Sequence, residues 1–224
     1  ELPTDCVRTG ISTGINVVLV DKSGERHFLT NPRGTLRTLT IQDIHMPFGD
    51  EAQIVCFASI FVFPKIGPRE LEIIFRQAKR QGKTVCADMT KRKNGETVRD
   101  ISAALQYVDY LFPNAEEAML LTGKNTAEEA AECLREAGVK HVVIKCGQRG
   151  CYLRGEEESG WIPAVSGVEC VDTTGAGTAF PPDLYMHWPQ GKASANARNL
   201  PMSAGQERCR VLGPWSGVKE CNRP

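Results

Sequence analysis

The apolar positions of this chain change period along its length, and each change marks an element. Between residues 14 and 30, the run Ile15-Asn16-Val17-Val18-Leu19-Val20, the turn Asp21-Lys22-Ser23-Gly24 and the run Arg26-His27-Phe28-Leu29-Thr30 read as a β-hairpin. Beyond it, short apolar runs alternate with stretches of helical period, which predicts strands at 53–58, 84–88, 110–112 and 141–145. Leu71, Ile74, Phe75 and Ala78 recur at i, i+3, i+4 and i+7, so a helix is expected over 68–81, opened by Pro68 and stopped by Gly82. Further helices are expected over 97–106, from Asn114 to Gly123, and from the capping box Thr126-Ala127-Glu128-Glu129 to Ala137. Cys151-Tyr152-Leu153 and Trp161-Ile162-Pro163 read as a second hairpin.

Repeated strand–helix units with short connections imply an α/β fold: a mostly parallel, doubly wound sheet with helices on both faces. Ligands of such sheets sit at the carboxyl ends of the strands. After Phe180 the pattern breaks, because Pro181, Pro182, Pro189, Pro201 and Pro214 interrupt what would otherwise be helix-rich sequence. Residues 189–224 are polar and poorly periodic. The chain therefore divides into an α/β domain over 1–188 and an irregular carboxyl-terminal segment over 189–224. It opens Glu1-Leu2-Pro3, without Met, so it is expected to begin inside a longer reading frame or as a processed product.

Composition narrows the function classes. The 224 residues carry 27 Lys plus Arg against 27 Asp plus Glu, a formal net charge of zero, so neither a nucleic acid nor an anionic membrane is an expected partner. No apolar run approaches the roughly 20 residues that span a bilayer. The nine cysteines are odd in number and contain no C-x-x-C, and His27, His45, His141 and His187 are scattered, so zinc-ligand spacing is absent. Cys56 and Cys86 lie in apolar strand runs and read as buried, reduced thiols. A cytoplasmic, reducing compartment fits this usage.

Candidate chemistry concentrates in Val171-Asp172-Thr173-Thr174-Gly175-Ala176-Gly177-Thr178-Ala179-Phe180. Two glycines around a small residue let the backbone turn tightly, and a helix starting there would aim several N–H groups at one point. That arrangement suits a phosphate or a developing phosphoryl charge, although a glycine-rich turn that only caps a helix has the same spelling. Upstream, Asn114-Ala115-Glu116-Glu117 pairs an N-cap with an acid at N3, the spacing of a capping box. Lys145-Cys146-Gly147-Gln148-Arg149-Gly150 follows a strand and is, taken alone, a loop with two glycines. Asp88-Met89-Thr90-Lys91-Arg92 ends another strand, where Asp88 and Lys91 either face a cleft or belong to a solvated basic loop.

The segment at 172–180 resembles the D-T-x-G-A-G-D-x-F motif of the ribokinase-like (PfkB) sugar kinases, matching at Asp172, Thr173, Gly175, Ala176, Gly177 and Phe180. Asn114-Ala115-Glu116-Glu117 resembles the N-x-x-E motif of that family, Lys145 to Gly150 its T-x-G-x-x-G segment, and Asp88 to Arg92 its D-x-N-x-R segment, all in the family's order. The resemblance covers about residues 12–180. It implies a ribokinase-like fold with an incomplete lid, because the family's opening Gly-Asp strand and Gly-Gly-Asn segment have no counterpart here. It implies ATP and Mg²⁺ as cofactors and a small-molecule sugar or sugar acid as substrate, with pairing of two copies through the lid. Catalytic roles then fall on Gly175, Ala176, Gly177 and position 178. Nucleotide binding falls on Asn114, Glu117, Lys145, Gly147, Gly150, Asp172 and Thr174, the metal on Glu117 through water, and the substrate or phosphate vicinity on Asp88 and Lys91.

At one position the chain departs from the motif in a way that changes the chemistry. The family's final Asp, the base that takes the sugar hydroxyl proton, is Thr178 here. A threonine hydroxyl is no base near neutral pH, and loss of general-base help costs about 10²–10⁴ in rate. The residues thus leave three readings: a carbohydrate kinase with little activity, a non-catalytic nucleotide-binding pseudokinase, or a fragment that does not fold alone.

Overall fold

A computed structural model of the chain describes residues 10–20, 26–31, 34 and 37–164. The glycine-rich segment with Asp172, Thr174, Gly175, Ala176, Gly177 and Thr178, and the segment 189–224, lie outside the described residues.

The hairpin forms as the pattern requires, with β1 (Asn16–Val20) antiparallel to β2 (Arg26–Thr30) in a separate two-stranded ribbon. The remaining strands are β3 (Ile54–Ile60), β4 (Thr84–Met89), β5 (Tyr110–Leu111), β6 (His141–Lys145), β7 (Cys151–Arg154) and β8 (Ser159–Ile162). They form one sheet in the order β3-β4-β5-β6-β7-β8, parallel through β6 and antiparallel from β6 to β8. The helices are α1 (Pro68–Arg80), α2 (Val98–Leu105), α3 (Ala115–Thr122) and α4 (Ala127–Glu136). The expected α/β, mostly parallel sheet is therefore present. A strand order that advances in one direction, joined by right-handed crossovers, puts these four helices on a single face.

That face holds the larger core. Val85, Ala87 and Met89 of β4, Leu111 of β5 and Val142 and Ile144 of β6 pack with Leu71, Ile74, Phe75 and Ala78 of α1 and with Leu105 of α2. The α1 stripe read from the sequence is the buried one. Residues of the opposite parity, Cys86, Phe112, Val143, Cys151, Leu153 and Ile162, form a second buried cluster. Asp88 shares the parity of Cys86, and Lys145 that of Val143, so both belong to this second face. Cys56 departs from expectation. It pairs in register with Cys86 yet is exposed, because β3 is the edge strand of the described sheet and lacks a neighbour on one flank.

The amino ends of the strands are closed by charge. Asp109, just before β5, accepts the Val85 N–H at 2.8 Å and ion pairs with Lys79 at 2.6 Å and Lys140 at 3.0 Å. The buried Lys83 ammonium donates to the Gly49 and Ala52 carbonyls at 2.7 and 2.6 Å. The carboxyl ends carry different groups.

Candidate active site

Three neighbouring parallel strands end together. The Phe112 N–H donates to the Ala87 carbonyl at 2.9 Å and the Lys145 N–H to the Pro113 carbonyl at 2.8 Å, while Asn114 makes a parallel bridge to Lys145. This register brings Asp88, Asn114 and Lys145 to one edge of the sheet, where ligands of open α/β sheets bind.

Lys145 Nζ donates to both carboxylate oxygens of Asp88, at 3.1 and 3.0 Å. Asp88 Oδ1 also accepts the Met89 N–H at 2.8 Å. Asp88 is 8% exposed, and burial pushes its carboxyl above the ordinary range against the pull of Lys145 and the Met89 N–H.

Glu117 lies in the first turn of α3, which follows the middle strand in the chain. The Asn114 side chain accepts the Glu117 N–H at 2.8 Å, and the Glu117 carboxylate accepts the Asn114 N–H at 2.9 Å, so the capping box read from the sequence is closed at both ends. Burial pushes the Glu117 carboxyl up. The Asn114 N–H opposes that rise, the Asp88 charge adds to it and the Lys145 charge reduces it; Glu117 is tied to this end of the sheet through Asn114, which bridges to Lys145.

Lys91 lies outside this cluster. Its ammonium pairs with Glu116 at 2.6 Å, and both side chains are more than half exposed. The loop after β6 is a 3₁₀ turn over Gly147–Arg149, and its glycines differ. Gly147 has φ +58° with open space where a Cβ would stand. Gly150 has φ +93°, and a Cβ there would overlap the backbone of Ile162, Pro163 and Ala164. Gly150 is thus a packing requirement of β8, whereas Gly147 leaves its backbone open. Arg149 stacks on the Trp161 ring at 4.1 Å from its centre, and the Trp161 N–H donates to Glu128 at 2.9 Å. Sequence reasoning did not foresee this brace between the loop, β8 and α4, because its members lie far apart in the chain and carry no local motif.

At the same end of the sheet, β3 finishes irregularly. Its register shifts between Phe57 and Ile60, and Ser59 and Phe61 hold φ of +67° and +76°, values that cost non-glycine residues energy. A cleft of about 260 Å³ opens beside Phe61, Phe63, Leu71, Lys93 and Glu96.

Among the described residues no three His, Cys, Asp or Glu side chains gather into a metal cage. Glu117 uses Oε2 for its cap and keeps Oε1 clear of described protein donors. Magnesium retains several waters and takes one or two carboxylates together with phosphate oxygens, and the donors at this edge fit an ion of that kind reached through water.

The comparisons with known proteins agree with this fold. Residues 2–181 match the family described as pfkB family carbohydrate kinase. The chain belongs to that family. It is 28% identical over 162 residues to the cytidine kinase of Thermococcus kodakarensis, a match covering 71% of this chain and 58% of that enzyme. The chain thus spans less than two thirds of that relative's length. A solved structure of ribokinase from Thermotoga maritima superposes with a TM-score of 0.72 at 27% identity, covering 95% of this pfkB-family chain and 68% of that one. An E. coli protein solved with ATP and Mg²⁺ superposes with a TM-score of 0.73 at 22% identity, covering 91% of this chain and 67% of that one.

Proposed function

We propose that this pfkB-family chain is built for ATP-dependent phosphorylation of a hydroxyl on a sugar or sugar acid. The observation that carries the reading is the ion pair of Asp88 with Lys145 at the carboxyl ends of β4 and β6, with Asn114, which Glu117 caps, bridged to Lys145 between them. Lys145 offers an ammonium to phosphate oxygens, and Gly147 leaves its loop open for their approach. Glu117 orients water around a divalent ion. When bound, Mg-ATP supplies the phosphoryl group with part of its charge already neutralised. By its resemblance to the family motif, the glycine-rich segment 175–177 would supply N–H donors to the transferred group. In the overall reaction the sugar oxygen bonds to the γ-phosphorus, the bond to the β-phosphate oxygen breaks, ADP leaves, and the hydroxyl proton passes to a base. Thr178 does not serve as that base, so the proton must go to solvent and turnover is slow.

Thr178 also favours a second reading, in which the chain binds nucleotide without turning it over. The domain division at residue 188 and pairing of two copies through the β1–β2 ribbon belong to the same proposal. The ribbon leaves Ile15, Val17, Leu19 and Leu29 largely exposed, a surface suited to a second copy. A cytoplasmic location belongs to the same proposal and rests on the strand-borne cysteines that the sequence reads as reduced thiols; no helix among the described residues is long and apolar enough to cross a membrane, and no disulfide joins the described cysteines.

The test is ADP release from Mg-ATP over a panel of sugars, with the native chain and Thr178→Asp side by side. Sugar-dependent release should rise by about 10² or more in the Asp variant. Thermal stabilisation by ATP without turnover in either protein would support the non-catalytic reading. Neither stabilisation nor turnover would overturn both.

A further inference from the structure

Asp88 and Lys145 lie 57 residues apart in the chain, on strands separated by β5. They nonetheless meet through two hydrogen bonds to one ammonium, with side-chain exposures of 12% and 17%. A carboxylate that presents both oxygens to one ammonium occupies it much as two oxygens of a phosphate would. Glu117 adds a second negative charge in the same neighbourhood. The three groups together carry two negative charges and one positive, a net charge of minus one. This group is therefore negative at rest, and the ammonium within it is already engaged.

We propose that Asp88 is an internal anion that holds Lys145 until nucleotide phosphate displaces it, and that this exchange adds to the dependence on a divalent ion that the Mg-ATP reading already contains. The inference rests on the nucleotide-binding reading above and specifies how that site is regulated. Once Lys145 turns to phosphate, Asp88 and Glu117 face the incoming anion as two uncompensated carboxylates. A divalent ion restores the balance. Without one, the exchange trades one anion for another at an unfavourable potential.

Asp88→Asn tests the exchange. The amide keeps the shape and still accepts the Met89 N–H, but it removes the charge that holds Lys145. Calorimetric titration of the full chain with ADP, in EDTA and in Mg²⁺, reads the effect, with melting curves confirming the fold. In EDTA the variant should bind ADP roughly tenfold or more tightly than the native chain, and the gain from Mg²⁺ should shrink. Adding Lys145→Met to Asp88→Asn should abolish the improvement. Equal or weaker ADP binding by a folded Asp88→Asn variant would overturn the proposal and make Asp88 a brace that aims Lys145. A measurement on the native chain stands independently of folding in the variant: the Asp88 carboxyl carbon, read by ¹³C NMR, should shift on saturation with Mg-ADP. A resonance that stays put while ADP binds would also overturn it. If the native chain binds no ADP at all, the nucleotide reading itself fails and the exchange falls with it, a result distinct from binding that ignores Asp88.

Discussion

Asn114 and Glu117 satisfy each other's backbone across the first turn of α3, at 2.8 and 2.9 Å, while Glu117 Oε1 stays clear of described protein donors. One residue thus serves a cap with one oxygen, and the proposed function gives the other to water around a divalent ion. The two roles separate by substitution. Glu117→Gln still accepts the Asn114 N–H, so stability should change by no more than about 0.5 kcal/mol. The lost charge should weaken the Mg²⁺ dependence of ADP affinity by roughly tenfold, because magnesium prefers carboxylates. Asn114→Ala removes the cap and should cost about 1 kcal/mol of stability. Paired melting curves and Mg²⁺ titrations check both effects.

Asp109 anchors the opposite end of the sheet and predicts an acid-sensitive contribution to stability. Burial opposes its charge, but hydrogen bonds from Lys79, the Val85 N–H and Lys140 outweigh burial and hold its carboxyl below the ordinary range. A carboxylate with a depressed folded-state pKa stabilises fully above its unfolded value of about 3.9, and that stabilisation is lost as pH falls through the folded value. Asp109→Asn should therefore cost about 2 kcal/mol at pH 7. The difference from the native chain should narrow in urea denaturation carried out near pH 3. A cost that stays constant down to that pH would mean that the carboxylate charge contributes nothing there.

Phe75 marks where the apolar pattern and the packing coincide. It is fully buried in α1 and meets Phe57 of β3 edge-to-face at 5.7 Å between ring centres. Phe75→Ala should cost about 3–5 kcal/mol, since the rigid sheet beneath it collapses little into the space left. Chemical denaturation with an unchanged m-value is the check.

Most of the fold was legible because its signals are local. The α1 stripe, the caps at Asn114 and Thr126 and the short apolar runs each lie within a dozen residues, and the structure places the elements within a few residues of the positions they predict. The site was legible as a set of candidates and not as an arrangement. Asp88 and Lys145 were each singled out by neighbouring motifs, but their ion pair depends on the order and register of β4, β5 and β6, which no local pattern carries. The same holds for Cys56, whose apolar run signals a strand but not that the strand lies at an edge. Lys91 shows the converse, because a basic loop residue next to the motif turns to Glu116 on the surface.

Gly147 and Gly150, equal in the sequence, should respond unequally to alanine. Both have positive φ, which costs an L-residue roughly 1–2 kcal/mol. At Gly147 that is the whole structural cost, because nothing stands where the Cβ would go. At Gly150 the Cβ would also collide with the backbone of Ile162–Ala164, so β8 must shift and with it Trp161, which carries the Arg149 stack. Gly150→Ala should therefore lower the melting temperature several times more than Gly147→Ala, and it should alter the Trp161 fluorescence. Gly147→Ala should instead keep its fluorescence and lose only that roughly 1–2 kcal/mol while weakening ADP binding, since the added methyl stands in the open space over the loop. Equal melting shifts for the two variants would mean that the approach of residue 150 to β8 relaxes at little cost. Unchanged ADP affinity in Gly147→Ala would remove the loop after β6 from the nucleotide site.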